Sequence, residues 1–322
     1  MKTAKYFFLP VIFIFVLFAA GCTKNEQNTN TEKNDKETAQ VSEFAITKAA
    51  PQRVEQIYGL GYPGNDSGLY VASQDGIKIF ANKMWYEGNS QRHEYVGFQP
   101  TEEGFIASGH PEKNTNLEDP LGIIRSSDKG ASFEKLAFYG EGDFHFLSVG
   151  YETNIIYIIN EKERSTLKAG VYRSEDDGKS WEPLKFNGLN TDTVGMIAAH
   201  PTKPNLMAMS TRSGIYLSDD KGDNMKLVTE PNMSTALAFS GDNLYYSSVE
   251  NNKVLFYSMD IHSLKTKQIE IPFLNYDNPI TYIAVDQKNN NTLSFSTYLY
   301  DVYESTDSGE TWGLLLKNGK IE

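Results

Sequence analysis

The segment Tyr172-Arg-Ser-Glu-Asp-Asp-Gly-Lys-Ser-Trp181 is one of four readable copies of a single pattern, and this pattern predicts the fold. The other copies run from Ile124 to Phe133, from Tyr216 to Met225 and from Tyr303 to Trp312. All four share Ser-x-Asp-x-Gly, and three of them end on an aromatic residue. Their serines, at positions 126, 174, 218 and 305, are 48, 44 and 87 residues apart, and 87 is close to two periods. A repeat of about 40–50 residues is typical of radially repeated β-sheet proteins.

Two degenerate copies fill the gaps in this spacing. Phe256–His262 keeps Ser258 and Asp260 but has His262 where the glycine belongs, and it lies near the middle of the 87-residue interval. One period before Ser126, Gly76–Phe80 and Trp85 keep the strand and the aromatic residue without the Ser/Asp turn. The sequence therefore predicts six units between about Arg53 and the C-terminus.

Each unit has the composition of four short strands. In the third unit the strand-like runs are Phe144–Gly150, Ile155–Asn160, Gly170–Arg173 and Trp181–Phe186, rich in β-branched and aromatic residues. No stretch after residue 40 has sustained helical periodicity. We therefore predict an all-β fold, a six-bladed β-propeller with four antiparallel strands per blade, with seven blades as the alternative. The expected blades span residues 53–92, 93–139, 140–187, 188–230, 231–271 and 272–322.

The ring has to close, because an open edge strand invites aggregation. Two solutions are compatible with the sequence. Either Val41–Thr47 pairs with the last blade, or the sixth blade completes itself through Trp312–Leu316. The propeller domain is expected to cover residues 43–322.

Residues 1–21 have the features of a secretory signal. Lys2 and Lys5 precede the apolar run Phe7–Phe18, and Ala19-Ala-Gly-Cys22 follows. This end resembles the bacterial lipobox, which implies that Cys22 is lipidated and becomes the mature N-terminus. An uncleaved membrane anchor is the alternative, although the apolar run is short for a span of about 20 residues. The expected location is the extracytoplasmic face of the cell membrane.

Residues 22–42 combine this cysteine with a polar segment that lacks aromatic residues, typical of a flexible tether. Cys22 is the only cysteine, so no disulfide or thiolate site is available to the folded part. The formal charge of −12 becomes −14 once Lys2 and Lys5 are removed, which argues against nucleic acid as a partner. We expect a monomer.

The repeated motif resembles the Asp-box, or BNR repeat, of sialidases and other glycosidase-like propellers, of sortilin-type ectodomains and of Ycf48-like photosystem assembly factors. Gly104–Pro111, Asp119–Gly122 and Gly142–His145 also look like bacterial lipoproteins labelled glycosylhydrolase-like. The Ser and Asp side chains are expected to hold a tight turn between the third and fourth strands, with glycine supplying the backbone conformation. A calcium loop is disfavoured, because the bidentate Glu of an EF-type register is missing. The predicted structural residues are Ser126, Asp128, Gly130, Ser174, Asp176, Gly178, Ser218, Asp220, Gly222, Ser305, Asp307 and Gly309.

Propeller topology places these turns on one face and the irregular loops on the opposite face. A ligand site is therefore expected in the unrepeated loops, above all in those of blades one to three. The principal candidates for binding or catalysis are Arg92, His93, His110, Asp119, Glu141, Asp143, His145 and Arg212. Further polar loop residues are Ser73, Asp75, Ser108, Arg164, Tyr276, Asp277, Tyr298, Tyr300 and Asp301.

Three functions are compatible with these residues. We rank first a non-catalytic face that binds a peptide, glycan or protein partner, because no catalytic constellation can be assembled from the spacing. A glycoside hydrolase-like enzyme would need two carboxyl groups, which Asp119, Glu141 and Asp143 could supply. No cofactor is predicted, although a divalent metal held by His93, His110 and His145 with Asp119 or Asp143 is the second alternative. No HxH or HxxxH spacing supports that metal site.

Overall fold

A computed structural model describes residues 43–164, 166–191, 193–230 and 232–322. The predicted signal peptide, Cys22 and the tether lie outside these residues. In the described part the chain forms β-strands joined by turns and loops. No helix there is long and apolar enough to span a membrane.

The described residues form twenty-seven strands, and twenty-four of them make up six blades around a ring. Two precede the first blade, β1 (Ile46–Lys48) and β2 (Gln52–Arg53). The first three blades contain β3 (Ile57–Gly61), β4 (Leu69–Ser73), β5 (Gly76–Ala81), β6 (Met84–Gly88), β7 (Glu94–Thr101), β8 (Gly104–His110), β9 (Gly122–Ser126), β10 (Glu134–Ala137), β11 (Leu147–Val149), β12 (Ile156–Asn160), β13 (Gly170–Ser174) and β14 (Glu182–Pro183). The last three contain β15 (Ile197–Ala199), β16 (Met207–Thr211), β17 (Gly214–Ser218), β18 (Lys226–Leu227), β19 (Ser234–Ser240), β20 (Asn243–Glu250), β21 (Lys253–Asp260), β22 (Thr266–Ile269), β23 (Ile280–Val285), β24 (Leu293–Thr297), β25 (Val302–Ser305) and β26 (Gly313–Leu316), followed by β27 (Lys320–Ile321).

Six antiparallel sheets confirm the predicted propeller. In every blade the four strands pair in chain order, from the first strand at the ring axis to the fourth at the rim. The first strands of successive blades contact one another, and β23 contacts β3, which closes the ring. Each blade lies inside its predicted span. Seven blades are not formed by the described residues.

Ring closure differs from the first of the two expected solutions. The segment Ile46–Lys48 pairs with β6, at the rim of the first blade, and not with the last blade. The sixth blade completes its own four strands, with β26 at its rim, as the second solution expected. In addition, β2 pairs with β27 next to the chain end. A three-residue strand contains too few residues to fix its partner from sequence.

The core lies between the blades. Apolar side chains from adjacent sheets meet in separate clusters, for example around Phe105 and Tyr95 between the first and second blades, and around Phe256 and Phe295 between the fifth and sixth. The residues that end the motif copies belong to these clusters: Phe133, Trp181, Met225 and Trp312. A fold of sheets packed face to face around a ring leaves both ends of each strand at a surface, where connections can vary.

Candidate functional site

The four clear motif copies form the same turn. In each, the Ser hydroxyl lies 2.7–2.9 Å from the Asp Oδ1 and accepts the Gly N–H at 2.8–3.0 Å. The residue two positions after the glycine donates its backbone N–H to the same carboxylate at 2.8–2.9 Å. Hydrogen bonds from Ser180 and Thr311 lower the pKa of Asp176 and of Asp307 to about 2. The carboxylates of Asp176 and Asp307 therefore already accept hydrogen bonds from residues of their own turns.

The fifth blade departs from this pattern. Ser258 makes only a 3.4 Å contact with Asn243, whereas Asp260 accepts the backbone N–H and the hydroxyl of Ser263 at 2.7 Å each. Position 262 has no glycine, and the residue with a positive φ in this turn is Leu264, at 56°, four residues after Asp260. Of the expected degenerate copy, only the aspartate keeps a turn-forming role.

The opposite face is built from the connections between second and third strands and from those that lead into the next blade. We call it the loop face, and the face of the Ser/Asp turns the Asp-box face. Four predicted residues meet on the loop face, between the second and third blades. His110 Nδ1 lies 2.6 Å from Asp119 Oδ1, His110 Nε2 lies 3.9 Å from Asp143 Oδ2, and His145 Nε2 lies 3.3 Å from that same oxygen. We call these four residues the His–Asp cluster.

Arg164 fixes the loop that carries Asp143 and His145. Its guanidinium donates to the carbonyl oxygens of Glu141 at 2.7 Å and Asp143 at 3.1 Å, and Asn160 accepts from its Nε at 3.0 Å. These contacts hold residues 141–146 out of the strand that the sequence predicted to begin at Phe144, so β11 begins only at Leu147. His145 thereby lies in a loop with its side chain half exposed.

Electrostatics keep Asp143 ionised. Burial alone would raise the pKa of its carboxyl group, but its own backbone N–H and the charges of His110, His145 and Arg164 outweigh burial and lower the pKa. The carboxylate is accordingly negative at neutral pH. It is the common neighbour of the three basic side chains.

The remaining candidates lie elsewhere. His93 is buried and packs edge-on against Tyr95 and Phe133; its Nδ1 accepts the Glu112 N–H, and burial lowers its pKa. Arg92 contacts Asp75 and Glu87 in the first blade. The side chains of Glu141, in the third blade, and of Arg212, in the fourth, are exposed.

Several other polar loop residues have structural partners. Ser108 Oγ accepts the Phe144 N–H at 2.9 Å, Ser73 Oγ donates to Gly76 O at 2.7 Å, and Asp301 accepts the Asn318 N–H at 2.8 Å. In the described part of the chain, no group of three or more His, Cys, Asp and Glu side chains is already arranged to hold a metal ion.

Exposed apolar side chains are concentrated on the loop face. Ten large apolar side chains are exposed among the described residues. Seven of them lie in loop-face connections of blades three to six and form what we call the apolar crescent: Phe146, Val194, Met233, Phe273, Tyr276, Tyr298 and Leu299. Of these seven residues, only Tyr276 and Tyr298 were expected from the sequence to lie in these loops. Phe146 lies inside the predicted strand-like run Phe144–Gly150, and a strand pattern does not show that the strand begins only after it, at Leu147.

The ring axis is narrow. A cavity of about 80 Å³ is lined by first strands of all six blades. A second cavity, of about 20 Å³, lies at the loop-face end and includes His145, Phe146, Tyr58 and Tyr282 in its wall. Neither holds a molecule of ordinary ligand size, which is about 300 Å³ or more. The ring axis is therefore too narrow for such a ligand. Larger cavities, of about 770 and 860 Å³, lie elsewhere, between the fourth and fifth blades.

Solved structures with the same fold include enzymes and a complex. The GH74 xyloglucanase of Xanthomonas campestris has 14% identity and a TM-score of 0.53, covering 85% of this chain and 47% of its own. The GH74 enzyme of Niastella koreensis has 17% identity and a TM-score of 0.53, covering 84% and 46%. A chain of the nidogen/laminin complex has 13% identity and a TM-score of 0.53, covering 74% and 88%. The present chain thus spans about half the length of the two enzymes, and these likenesses show a shared fold.

Sequence comparison identifies the family. No curated protein sequence matches the chain significantly. Residues 122–298 match the Sortilin-Vps10 family, described as "Sortilin, neurotensin receptor 3". This match includes three of the four clear motif copies and the His145 side of the His–Asp cluster. Because it covers more than half of the 322 residues, the chain belongs to the Sortilin-Vps10 family.

Proposed function

We propose that the chain is a lipid-anchored extracytoplasmic protein that binds a protein or peptide partner on its loop face without catalysis. The observation that carries the proposal is the apolar crescent. Phe273, Met233 and Tyr298 are 77%, 66% and 61% exposed, although such side chains are usually buried. Exposed apolar patches with aromatic residues mark sites of protein association.

A family described as a neurotensin receptor supports a binding role of this kind. The crescent also lies beside the charged His–Asp cluster, so that apolar and polar contacts are available on one surface. Interfaces of soluble proteins typically combine an apolar centre with a polar rim. A partner with apolar side chains flanked by polar groups fits this arrangement.

The alternative function, a glycoside hydrolase-like enzyme with two catalytic carboxyl groups, has less support than partner binding. Its general acid needs a raised pKa, whereas the pKa of Asp143 is lowered. The imidazole of His110 also lies between the carboxylates of Asp119 and Asp143. A screen with chromogenic glycosides should therefore give no turnover, and turnover abolished in Asp143→Asn would favour the enzyme.

The binding site is tested by site-specific photo-crosslinking in the producing cell. Leu299, in the crescent, and Leu314, on the rim strand β26, are both 45% exposed and form a matched pair. A photoreactive amino acid at position 299 should give a discrete adduct with another protein, and the same group at position 314 should not. Equal labelling from both positions, or none from position 299, would remove the basis of the proposal.

The anchor is tested separately, because it rests on Met1–Cys22, outside the described residues. Cells supplied with a labelled fatty acid should incorporate label into the wild-type chain. The Cys22→Ser variant should incorporate none and should appear in the soluble fraction. Labelling that persists in Cys22→Ser would contradict lipidation at this residue.

A further inference from the structure

In five blades, the last residue of the motif copy fills the gap to the preceding blade. Trp181 of the third blade packs on the rim of the second, where its ring centroid lies 5.4 Å from that of Phe138. Trp312 of the sixth blade donates its Nε1–H to the carbonyl oxygen of Glu270, at the rim of the fifth. The residues that fill these five gaps are Trp85, Phe133, Trp181, Met225 and Trp312.

The gap between the fourth and fifth blades has no such filling. The motif copy that contains Ser258 has Lys265, with an exposed side chain, in place of the aromatic residue. On the other side of the gap, the fourth blade has the exposed Glu230 five residues after the end of its motif copy, where the second blade has Phe138. Both halves of the Phe138–Trp181 contact are therefore replaced at this gap.

Two adjoining cavities occupy the gap. One, of about 770 Å³, lies towards the Asp-box face, and the other, of about 860 Å³, lies towards the loop face. Val228 and Leu264 line both cavities, so the two form one groove, which we call the inter-blade groove. Its size is that of ordinary ligand sites. Its half-buried apolar side chains are Leu206, Leu217, Val228, Tyr257, Ile261 and Leu264.

The loop-face end of the inter-blade groove is acidic. Glu230 and Glu250 line it, and none of its other lining residues is Lys, Arg or His. In the described part of the chain, neither carboxylate is paired with a basic side chain; Glu250 accepts hydrogen bonds only from the hydroxyls of Ser248 and Tyr257, at 2.5 and 3.3 Å. Carboxylates at the edge of an apolar groove are complementary to a Lys or Arg side chain of a partner.

We propose that the inter-blade groove binds an extended peptide segment that inserts an aromatic side chain beside Leu264 and places a Lys or Arg against Glu230 and Glu250. The inserted ring takes the place that the chain's own aromatic residue has in the neighbouring gaps. Aromatic side chains are effective anchors, because each buries a large apolar area. Met233 of the apolar crescent lines the loop-face end of the groove. The site nevertheless goes beyond the proposed binding on the loop face and does not depend on it.

The N-terminal segment of the chain does not fit this groove. Residues 23–40 contain no aromatic residue to insert. The segment also joins the domain at the rim of the first blade, where Asn89 Nδ2 donates to the carbonyl oxygen of Glu43 at 3.1 Å. In a ring of six blades, the first blade lies opposite the fourth. The peptide segment therefore comes from another molecule.

The test selects peptides from a displayed library of random dodecapeptides on the full-length chain in lipid nanodiscs, with counter-selection on empty nanodiscs. Enriched sequences should combine an aromatic residue with Lys or Arg. The most enriched peptide, labelled with fluorescein, is then titrated against the wild type and variants by fluorescence anisotropy. Leu264→Trp fills the groove with a ring of the chain itself and should weaken binding by about tenfold or more. Leu314→Trp, on the exposed rim strand β26, is the matched control and should bind normally.

A second variant tests the charge. Glu230→Lys should weaken binding of the same peptide by about fivefold or more, since it replaces attraction by repulsion. Glu310→Lys, at an exposed position in the sixth blade, is its control. Melting of every variant is measured, and the exposed Glu230→Lys still tests the groove if Leu264→Trp does not fold.

Weaker binding by Leu264→Trp and Glu230→Lys, with normal binding by both controls, supports the proposal. The absence of any enriched peptide, or equal affinity of the wild type and the two groove variants, overturns it. Light scattering tests a second copy as the occupant: a wild-type dimer that Leu264→Trp converts to a monomer also overturns it. Crosslinking from position 299 does not involve the groove, so failure of this proposal is distinguishable from failure of the loop-face site.

Discussion

The Tyr62 hydroxyl of the first blade donates a hydrogen bond of 2.8 Å to Glu304 Oε1 of the sixth blade. The same hydroxyl lies 2.5 Å from Ser294 Oγ, also in the sixth blade. Tyr62 is buried, so these contacts join the two ends of the ring away from solvent. Ring closure therefore uses buried side chains as well as the pairing of β2 with β27.

Glu304 should make stability depend on pH. Burial raises the pKa of its carboxyl group, although the hydrogen bond from Tyr62 opposes the rise. A raised pKa favours the protonated acid in the folded state, so this contribution to stability is full below the usual value of 4.5 and is lost as pH rises through the folded pKa. Glu304→Gln should therefore be at least as stable as the wild type at pH 7. Thermal melting at pH 4 and pH 7 measures this, with exposed Glu310→Gln as the control; a variant that is less stable than the wild type only at pH 7 would contradict the direction.

The Asp-box turns should respond to acid in the opposite sense. Hydrogen bonds lower the pKa of Asp176 and of Asp307 from 3.8 to about 2. A lowered pKa gives stability that is present above 3.8 and is lost as pH falls through about 2. We expect the melting temperature to fall between pH 4 and pH 2, and Asp176→Asn to lose part of this dependence. If the melting temperatures of Asp176→Asn and of the wild type fall in parallel between pH 4 and pH 2, Asp176 is not a source of the acid sensitivity.

Ser174 should matter more than its counterpart in the fifth blade. Its buried hydroxyl accepts the Gly178 N–H at 2.9 Å, and an unsatisfied buried donor costs about 1–3 kcal/mol. Ser174→Ala should lower the melting temperature by about 2–4 °C for each kcal/mol lost. Ser258→Ala is the matched control, because Ser258 accepts no such bond and should have little effect. Equal losses at both positions would mean that the turn geometry does not determine stability.

The sequence contained enough information for the propeller because its turns are local. Ser, Asp and Gly act within five residues, so the repeat gave the blade number and the face that carries the turns. Where His262 replaces glycine, the same local reasoning predicted a weakened copy. The motif does not encode the alternative turn. The hydrogen bonds from Ser263 to Asp260, in place of one from Ser258, were therefore not predicted.

The site depended on contacts between distant loops, which local patterns do not specify. His93 and His145 both precede a first strand, yet His93 is enclosed by Tyr95 and Phe133, while His145 is exposed beside Asp143. The difference arises because Arg164 holds the loop at Asp143 away from the blade. A strand pattern does not show that a distant arginine will hold this loop. It also does not show which apolar residues of the loops stay exposed, so the apolar crescent was not predicted.

A buried ion pair in the first blade was also absent from the sequence analysis. Lys78 on β5 is opposite Glu87 on β6 in the strand register, and their side chains are 1% and 7% exposed. Lys78 Nζ lies 2.5 Å from Glu87 Oε2 and also donates to Asp75 O at 2.9 Å. The pair lies close to Gln52, which donates to Glu87 at 3.1 Å.

Breaking this pair from one side should destabilise the ring. Lys78→Met leaves Glu87 buried without its main cation, and removing one partner of a buried pair typically costs about 3–5 kcal/mol. The melting temperature should fall by about 2–4 °C for each kcal/mol. Lys48→Met changes the exposed strand β1 beside the same sheet and should have little effect. Thermal and urea unfolding of the three proteins give the comparison.

The double variant Lys78→Met/Glu87→Met separates the loss of the pair from the presence of a lone charge. Replacing both partners of a buried ion pair with apolar side chains is often neutral or stabilising. The double variant should therefore be more stable than Lys78→Met alone, even though Gln52 and Arg92 also lose a partner. If it is less stable than the single variant, the attraction between Lys78 and Glu87 is not the main source of the loss, and the contacts of Glu87 with Gln52 and Arg92 carry the stabilisation of this blade.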